Sequence, residues 1–346
     1  MQKLIFLGTE YKKGKGGVAS VLLEYVKLFP DATFISTTAS QGVFKNAITL
    51  IAGLIKLIFN LIKYPKAIVH IHGSSYRSFF RKYFLFRIIR VFSNKVIYHI
   101  HGGGFQSFFE NESLANKGKI NYFINNVDCV VCLSSQWENF YKKKFNPKRI
   151  VVIPNIVASP KTNKRTDSDY FNFLFLGDIS EQKGVWLMLD VIKELRTDLE
   201  GKFKFLIGGN GEVDKLNGFI IDYELEDIVE YIGWVSNETK QEYLNKANAY
   251  ILPSYNEGLP ISILEAMTYG LPIISTNVGG IPELVKTNFN GLLIESGNVN
   301  ALVEALQFVL ENTKQFKSYG ANSLTLIAPY KPENVKVNLL DIYKNL

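Results

Sequence analysis

Short apolar runs rich in β-branched and aromatic residues alternate with longer segments of helical periodicity along most of the chain. This alternation is typical of parallel sheets built from β-α-β units. The runs predicted to be strands are residues 2–7, 32–37, 67–72, 95–101, 128–133, 149–153, 171–177, 203–208, 229–232, 248–252, 272–276 and 291–294. Because these strands fall into two sets of six, the pattern predicts an α/β fold with two doubly wound domains.

The boundary between the two domains is expected close to residue 157. The segment 152–160 contains two prolines and is followed by a polar run over 161–170, a composition typical of a linker. We therefore expect an N-terminal domain over 1–157 and a C-terminal domain over 158–328. Residues 329–346 are expected to contain a last helix that packs back on the N-terminal domain.

Composition excludes several classes of protein. The chain has 346 residues, of which 47% are hydrophobic, enough for one core in each of two domains. This excludes a disordered chain, a collagen-like chain and a small disulfide-stapled scaffold. Cys129 and Cys132 lie three apart on a predicted strand and so point to opposite faces, which disfavours a metal-binding or redox pair. We therefore expect a reducing, cytoplasmic compartment, and the first apolar run is too short for a signal peptide.

The net charge is divided unequally between the two halves. Residues 1–157 contain 22 Lys and Arg against 7 Asp and Glu, or +15, whereas the remainder has 17 against 25, or −8, which together give the net +7. Such a basic half indicates an anionic partner: nucleic acid, a phosphorylated ligand or an anionic membrane surface. Nucleic acid is not expected, because no recognition-helix or base-stacking motif accompanies the charge.

Two helical stretches in the basic half bear on membrane contact. The longest uncharged run within residues 43–64 has ten residues, over 46–55, against roughly twenty needed to span a bilayer, so no transmembrane helix is expected. The stretch 77–92 interleaves aromatic and basic residues. Its arginines are Arg77, Arg81, Arg87 and Arg90. Two interpretations stay open: a core helix whose cations extend to solvent, or a helix that faces the acceptor or lies on an anionic lipid surface.

The loop after the first predicted strand is a candidate phosphate site. Its sequence over 14–17 is Gly-Lys-Gly-Gly, and a helix is predicted to begin near Val18. Glycines allow backbone N–H groups to approach an anion, and a helix N-terminus adds partial positive charge. The loop matches neither the G-x-G-x-x-G pattern nor the P-loop, so a plain tight turn is the alternative.

All four histidines lie at the ends of two predicted strands, in His-Ile-His-Gly segments at 70–73 and 99–102. The two histidines of each segment share one face of their strand. A metal site is not expected, because no carboxylate or thiolate accompanies them. Buried structural histidines and hydrogen-bonding groups for a hydroxyl or phosphate are the alternatives. His101 is the strongest candidate for the second role, since the glycines after it leave space.

Two further strand ends in the acidic half carry candidate binding groups. Lys183 and Gly184 follow a predicted strand and open a helix, which suits a phosphate ligand. Glu257 precedes a Gly-Leu-Pro turn, and Glu265 lies near the second turn of the next helix. These two carboxylates are eight residues apart, so they are placed to reach different parts of an elongated ligand with sugar or ribose hydroxyls.

The segment 253–284, PSYNEGLPISILEAMTYGLPIISTNVGGIPEL, resembles the glutamate-x7-glutamate region of the retaining GT-B glycosyltransferases of family four (glycosyl transferases group 1). Further parts agree in order. They are the glycine loop, the histidine-glycine strand end, Pro-Asn at 154–155, Lys-Gly at 183–184, Gly-Gly-Asn-Gly-Glu at 208–212 and Gly-Trp-Val at 233–235. The resemblance covers nearly the whole chain and is strongest over 171–312.

The resemblance implies a GT-B fold, in which two Rossmann-like domains face a central cleft, and a role for each matching residue. Glu265 would hold the ribose hydroxyls of a nucleotide sugar. Glu257, with the backbone amides of Gly258 and Leu259, would contact the donor sugar and its phosphate, and Lys183 would neutralise the departing diphosphate. The other donor-binding residues it implies are Gly16, Gly17, Gly209, Gly233 and Val235.

His101 would face the reacting sugar and the acceptor. One position departs from the family pattern: Asp178 stands where the family usually carries arginine. One phosphate-binding cation is thereby absent, so the diphosphate contacts rest on Lys183 alone or with help from Lys15.

The activity that the resemblance implies is a retaining, metal-independent hexosyl transfer. The donor would be a nucleoside-diphosphate sugar, with UDP as the expected nucleotide, and the chain would need no resident cofactor. The acceptor would be a hydroxyl of a glycan or of a polyprenyl-diphosphate-linked glycan in surface polysaccharide synthesis, such as capsule or O-antigen, at the inner face of the cell membrane. Two alternatives are a catalytically silent nucleotide-sugar-binding subunit, suggested by Asp178, and a GT-B-fold nucleotide-sugar epimerase.

Overall fold

The computed structural model describes residues 2–12, 16–39, 42–160, 164 and 168–346. Gly14 and Lys15 of the predicted phosphate loop lie outside these residues. The chain divides into two compact units, which we call the N-terminal unit (Met1–Val157 with Tyr330–Leu346) and the C-terminal unit (Ala158–Pro329).

The N-terminal unit is built on a six-stranded sheet. Its strands are β1 (Leu4–Gly8), β2 (Thr33–Ser36), β3 (Ile68–Gly73), β4 (Lys95–Ile100), β5 (Cys129–Cys132) and β6 (Ile150–Val152). The first helices of this unit are α1 (Gly17–Leu28), α2 (Val43–Lys63), α3 (Tyr76–Ile89), α4 (Phe105–Asn111), α5 (Leu114–Asn126) and α6 (Ser135–Lys144). The strand order is β2-β1-β3-β4-β5-β6, and neighbouring strands are parallel.

The C-terminal unit contains a second six-stranded sheet. Its strands are β7 (Phe171–Leu176), β8 (Phe203–Gly208), β9 (Val229–Gly233), β10 (Ala249–Leu252), β11 (Ile273–Thr276) and β12 (Gly291–Ile294). Its helices are α7 (Val185–Glu194), α8 (Arg196–Leu199), α9 (Val213–Asp222), α10 (Asn237–Lys246), α11 (Ile261–Thr268), α12 (Ile281–Leu284), α13 (Val299–Glu311) and α14 (Thr313–Leu326). The order β12-β11-β10-β7-β8-β9 is again parallel throughout. Helix α15 (Pro332–Lys344) returns to the N-terminal unit.

Two doubly wound parallel sheets confirm the predicted α/β fold class. Every predicted strand is present, with its ends within two residues of the prediction. The reason is that parallel strands covered by helices are buried on both faces and therefore form continuous apolar runs. In β1 and β7, for example, each residue is buried.

Helix α2 buries only one of its sides. Leu57 and Leu61 are fully buried, and the helix passes so close to β2 that a Cβ on Gly53 would lie 2.6 Å from the carbonyl oxygen of Ser36. By length and composition, the segment Phe44–Lys63 could cross a membrane, a test that core helices of soluble proteins also pass. The inward contacts show that this helix is packed against its own sheet along one side.

Candidate active site

In the sheet of the C-terminal unit, the direction in which the chain adds strands reverses between the neighbours β7 and β10. From β7 the chain proceeds to β8 and β9 on one side, whereas β10, β11 and β12 follow on the other. In open parallel sheets such a switch point leaves a crevice in which ligands bind. The loops after β7 and β10 carry Lys183 and Glu257, the two groups that the sequence singled out.

Lys183 and Glu257 form an ion pair across this switch point. The Nζ atom of Lys183 donates to Oε1 of Glu257 at 2.6 Å, and the Ser254 hydroxyl donates to the same oxygen at 2.9 Å. Glu257 is buried, with 7% of its surface exposed, while the Lys183 side chain is 26% exposed. The carboxylate is therefore fixed in place, and the ammonium group beside it remains accessible to solvent or to a ligand.

Two glycines bring the loops around this pair into close contact. Gly184 has a φ of 71°, and a Cβ there would lie 2.0 Å from the carbonyl oxygen of Pro253. Gly279 has a φ of 55°, and a Cβ there would lie 1.9 Å from the carbonyl oxygen of Glu257. The Gly280 N–H also donates to the Gly258 carbonyl at 2.7 Å. These contacts hold Glu257 and Gly258 at the N-terminal side of α11.

Glu265 has a different cationic partner. It lies on α11, and the Nζ atom of Lys240 on α10 donates to its Oε1. The side chains of Lys240 and Glu265 are 25% and 21% exposed, so the pair is reachable from solvent. The structure thus places the two predicted carboxylates in the same unit, each held by its own lysine.

The other donor-binding residues predicted in this unit lie at the ends of β8 and β9. Gly209 approaches the β7 end so closely that a Cβ would lie 1.7 Å from the Gly177 carbonyl oxygen. Its N–H donates to the Gly233 carbonyl at 2.9 Å, and Val235 is buried just beyond. Asp178, the departure from the family pattern, is exposed at the end of β7.

The four histidines form a row on one face of the N-terminal sheet, across β3 and β4. His72 pairs with His99 in the strand register, and neighbouring rings are stacked, with centroids 4.3 Å apart for His70 and His72 and 4.1 Å apart for His99 and His101. Nδ1 of His72 and Nε2 of His101 are 2.9 Å apart, and Nδ1 of His101 is 3.3 Å from the Asn155 Oδ1. The row ends at His101, and the two histidines of each segment share one face, as the strand period of two predicts.

Burial keeps these histidines neutral at physiological pH. It lowers the pKa of His101 from 6.5 to about 4, against the raising effect of the Asn155 hydrogen bond, and that of His70 to about 3. The ligand atoms of His70, His72 and His99 lie within 4.8 Å of one another. Their stacked rings nevertheless favour hydrogen bonding over a tetrahedral ion, which needs lone pairs converging from different directions.

The remaining predicted residues of the N-terminal unit lie at two places. Gly16, with a φ of 98°, and Gly17 are exposed at the start of α1. On α3 the arginines differ: Arg77, Arg87 and Arg90 are exposed, whereas Arg81 is partly buried. The buried apolar residues of that helix, including Phe79, Leu85, Phe86 and Ile89, support the core-helix interpretation for one of its sides.

Three residues at these sites were not predicted as site residues from the sequence: Lys240, Gly279 and Lys82. Lys240 lies in a strongly polar helix, where nothing distinguishes it from a solvated lysine. Gly279 lies within the family motif, but the resemblance implies no role for it. Lys82 carried a usable signal, since the spacing of Phe79, Lys82 and Phe86 places it on the buried stripe of α3.

Two protein-family models match the chain. Residues 33–159 match the model described as Glycosyltransferase Family 4, and residues 159–324 match Glycosyl transferases group 1. The chain belongs to glycosyltransferase family four. The two matches follow one another and meet close to the boundary between the two units.

Similar sequences include several glycosyltransferases. An uncharacterized glycosyltransferase, MJ1178 of Methanocaldococcus jannaschii, is 28% identical over 234 residues, which are 68% of this chain and 64% of that protein. The amylovoran biosynthesis glycosyltransferase AmsK of Erwinia amylovora is 34% identical over 140 residues, 38% of this chain and 34% of AmsK. The matched part thus spans less than two thirds of either relative.

Solved structures share the fold of this family member over its whole length. Sucrose-phosphate synthase from Thermosynechococcus elongatus superposes with a TM-score of 0.81 at 18% identity, covering 100% of this chain and 99% of that one. Anabaena Alr3699/HepE, solved in complex with UDP-glucose, gives a TM-score of 0.80 at 18% identity and covers 100% of both chains. The fold is GT-B, as predicted.

Proposed function

We propose that this protein is a retaining hexosyltransferase. It moves a sugar from a UDP-linked donor to a hydroxyl of a glycan or polyprenyl-diphosphate-linked acceptor in cell-surface polysaccharide synthesis. The observation that carries the proposal is the Lys183–Glu257 pair at the switch point of the C-terminal sheet. The UDP-glucose complex of HepE, a protein of the same fold, supports the choice of donor class.

The chemistry requires negative charge to be stabilised on the departing diphosphate. Lys183 supplies a cation, and the backbone N–H groups of Gly258 and Leu259 lie just before α11, whose N-terminus carries partial positive charge. In this proposal Glu257 orients Lys183 and contacts the donor sugar, while Glu265 accepts hydrogen bonds from the ribose hydroxyls. Because lysine and backbone groups provide the charge, the proposed reaction needs no metal ion or other cofactor.

A panel of nucleotide sugars screened by thermal shift tests the donor assignment. A donor at a hundred times its Kd stabilises the native state by about 2.7 kcal/mol, an easily measured rise in Tm. Glu265→Gln should weaken UDP binding in calorimetry by about tenfold, since one charged hydrogen-bond acceptor is lost. Equal UDP affinity in the wild type and this variant would contradict the ribose role. Sugar transfer by the purified chain separates an active enzyme from a silent subunit or an epimerase.

We also propose that the enzyme works on an anionic membrane surface through α2. Large apolar side chains that are 52% to 79% exposed follow one another on its outer side at intervals of three and four residues, and we call them the apolar stripe. They are Phe44, Ile48, Ile51, Ile55, Phe59 and Ile62. With a rise of 1.5 Å per residue, the stripe is about 27 Å long.

The charges beside the stripe favour a lipid surface over a second copy of the chain. The exposed lysines of this region are Lys45, Lys56, Lys63 and Lys66, and the sequence contains no acidic residue between Asp31 and Glu110. A symmetric dimer through α2 would bring like charges together. An anionic leaflet instead attracts them while the stripe enters the headgroup region, with the helix lying in the membrane plane.

Vesicle co-sedimentation tests the membrane proposal. The chain should pellet with mixed phosphatidylglycerol–phosphatidylcholine vesicles, and less with pure phosphatidylcholine or at high salt. Ile51→Ser with Ile55→Ser should weaken partitioning roughly thirtyfold, for about 2 kcal/mol of lost apolar burial. The matched control, Leu114→Ser with Val337→Ser, removes apolar residues elsewhere in the unit that are 87% and 65% exposed, at least about as exposed as Ile51 and Ile55. Equal partitioning of both double variants would refute the role of the stripe, and a dimer dissolved by the stripe variant would identify a protein interface instead.

A further inference from the structure

A cavity of about 220 Å³ opens at the carboxyl ends of β1, β2 and β3 in the N-terminal unit. Thr9, Thr38 and Ser74, which follow these three strands, line it, and α3 contributes Arg81 and Lys82. In the strand order β2-β1-β3, the chain turns one way from β1 and the other way at β3. The cavity thus occupies the switch point of this sheet, where parallel sheets bind ligands.

Lys82 is a buried lysine without an anionic partner among the described residues. It is 1% exposed, and its Nζ atom donates to the Thr37 hydroxyl, which itself donates to the Gly8 carbonyl at 2.9 Å. Buried lysines are ordinarily paired with a carboxylate, because an isolated charge is costly to remove from water. Burial, and after it the charge of Arg81, lowers the pKa of Lys82 well below its usual value.

The surroundings add further donors without a partner. Within the part of the chain that the structure describes, Arg81 Nε is buried and makes no hydrogen bond, and the same holds for the hydroxyl of Ser75, which is next to the lining residue Ser74 in the chain. The sequence from residue 32 to residue 109 contains ten Lys and Arg and no Asp or Glu, so this segment cannot neutralise its own charge. Two adjacent basic side chains and several hydroxyls thus line a cavity whose described lining includes no Asp or Glu.

We propose that this cavity binds an oxyanion of the acceptor, either a phosphate of a lipid-linked acceptor or the carboxylate of an acidic sugar. Its volume is below the roughly 300–1,000 Å³ of sites that enclose a whole drug-sized ligand, so it suits one functional group and not an entire acceptor. Arg81 and Lys82 supply the charge, and Ser74, Ser78 and Thr38 supply hydroxyls that donate to the anion.

The position of the cavity fits a group that orients the acceptor. His72 lines it and lies 2.9 Å, Nδ1 to Nε2, from His101, the residue expected to face the reacting hydroxyl. An anion held by Lys82 would anchor the acceptor beside the end of the histidine row. The inference rests on the proposed function for the identity of the ligand as an acceptor, but the binding of the anion itself does not require any sugar donor.

Thermal shift and calorimetry on the full chain test the site, with inorganic phosphate, pyrophosphate and glucuronate as separate probes. We expect at least one of these anions to raise the Tm of the wild type. Shifts with the phosphates alone identify a phosphate site, and a shift with glucuronate alone identifies a carboxylate site. Lys82→Met and Arg81→Gln should each weaken the responding anion about ten- to a hundredfold, the effect of a charged hydrogen bond. Lys143→Met removes an exposed lysine of the same unit and should leave binding unchanged.

The stability of the ligand-free variant distinguishes a binding lysine from a structural one. If Lys82 is held for a ligand, Lys82→Met replaces a buried amine that has no carboxylate partner among the described residues with an apolar side chain of similar length, and the Tm should rise by about 2–4 °C. A fall in Tm together with unaltered anion binding would overturn the proposal, as would a wild type that responds to none of the three anions. Arg81→Gln provides the same affinity test if Lys82→Met does not fold. UDP calorimetry on the same proteins reports the donor site separately, so failure of the proposed enzyme activity would not be confused with failure of this site.

Discussion

Replacing Lys183 by methionine tests the catalytic role of the Lys183–Glu257 pair. In the free protein the change removes a 2.6 Å charged hydrogen bond and leaves the Glu257 carboxylate, 7% exposed, with the Ser254 hydroxyl still donating to it. A hydrogen bond to a charged group contributes about 1.5–3 kcal/mol, so we expect a loss of stability of that order. During transfer, loss of one preorganised donor to the leaving group should lower kcat by about 100- to 1,000-fold.

The double variant Lys183→Met with Glu257→Gln separates these two effects. A neutral glutamine removes the buried charge that Lys183 balances in the wild type, so stability should recover toward that of the wild type while turnover stays low. Turnover is measured as UDP release from the donor that the thermal-shift panel identifies, and stability as Tm. If Lys183→Met keeps its kcat within about threefold of the wild type, or if the double variant recovers activity together with stability, Lys183 does not stabilise the leaving group.

Two further predictions concern stability, one at two glycines of the C-terminal unit and one at His101 of the N-terminal unit. Gly184→Ala places a Cβ 2.0 Å from the Pro253 carbonyl oxygen at a φ of 71°, so it should lower the free energy of unfolding, measured with denaturant, by at least about 2 kcal/mol. Its control is Gly218→Ala, at a helical glycine with nothing within 4 Å of the added Cβ. This variant should instead stabilise the protein by about 0.5–1 kcal/mol. Burial lowers the pKa of His101 from 6.5 to about 4, so between these pH values the unfolded chain binds a proton that the folded protein does not. The contribution of neutral His101 to the free energy of unfolding is therefore complete above pH 6.5 and is lost as the pH falls toward 4, by about 3 kcal/mol in all. A His101→Gln variant should show a flatter Tm between these pH values, and an equally steep fall in both proteins would contradict this assignment.

Strand positions were predictable from sequence because burial on both faces leaves a local signature. The apolar runs of β1 and β7 mark those strands without any knowledge of their neighbours. The face shared by His99 and His101 likewise follows from the strand period of two. The family motif then identified Glu257 and Glu265 as residues of interest.

The pairings within the sites were not predictable, because they join residues far apart in the chain. Lys183 and Glu257 are separated by 74 positions, and only the sheet order brings their loops together. The outward direction of the apolar stripe on α2 also depends on which side of that helix packs on the sheet. The burial of Lys82 differs from these pairings, since its place among the buried aromatic residues of α3 follows from the local helical spacing.

The central claim is that a nucleotide sugar binds at the carboxyl ends of β7 and β10. A crystal structure of the protein soaked with its donor tests this claim most directly. We predict the diphosphate within hydrogen-bond distance of Lys183 Nζ and the ribose hydroxyls on the Glu265 carboxylate. A donor bound elsewhere, with both groups still engaged only by their present protein partners, would contradict the account.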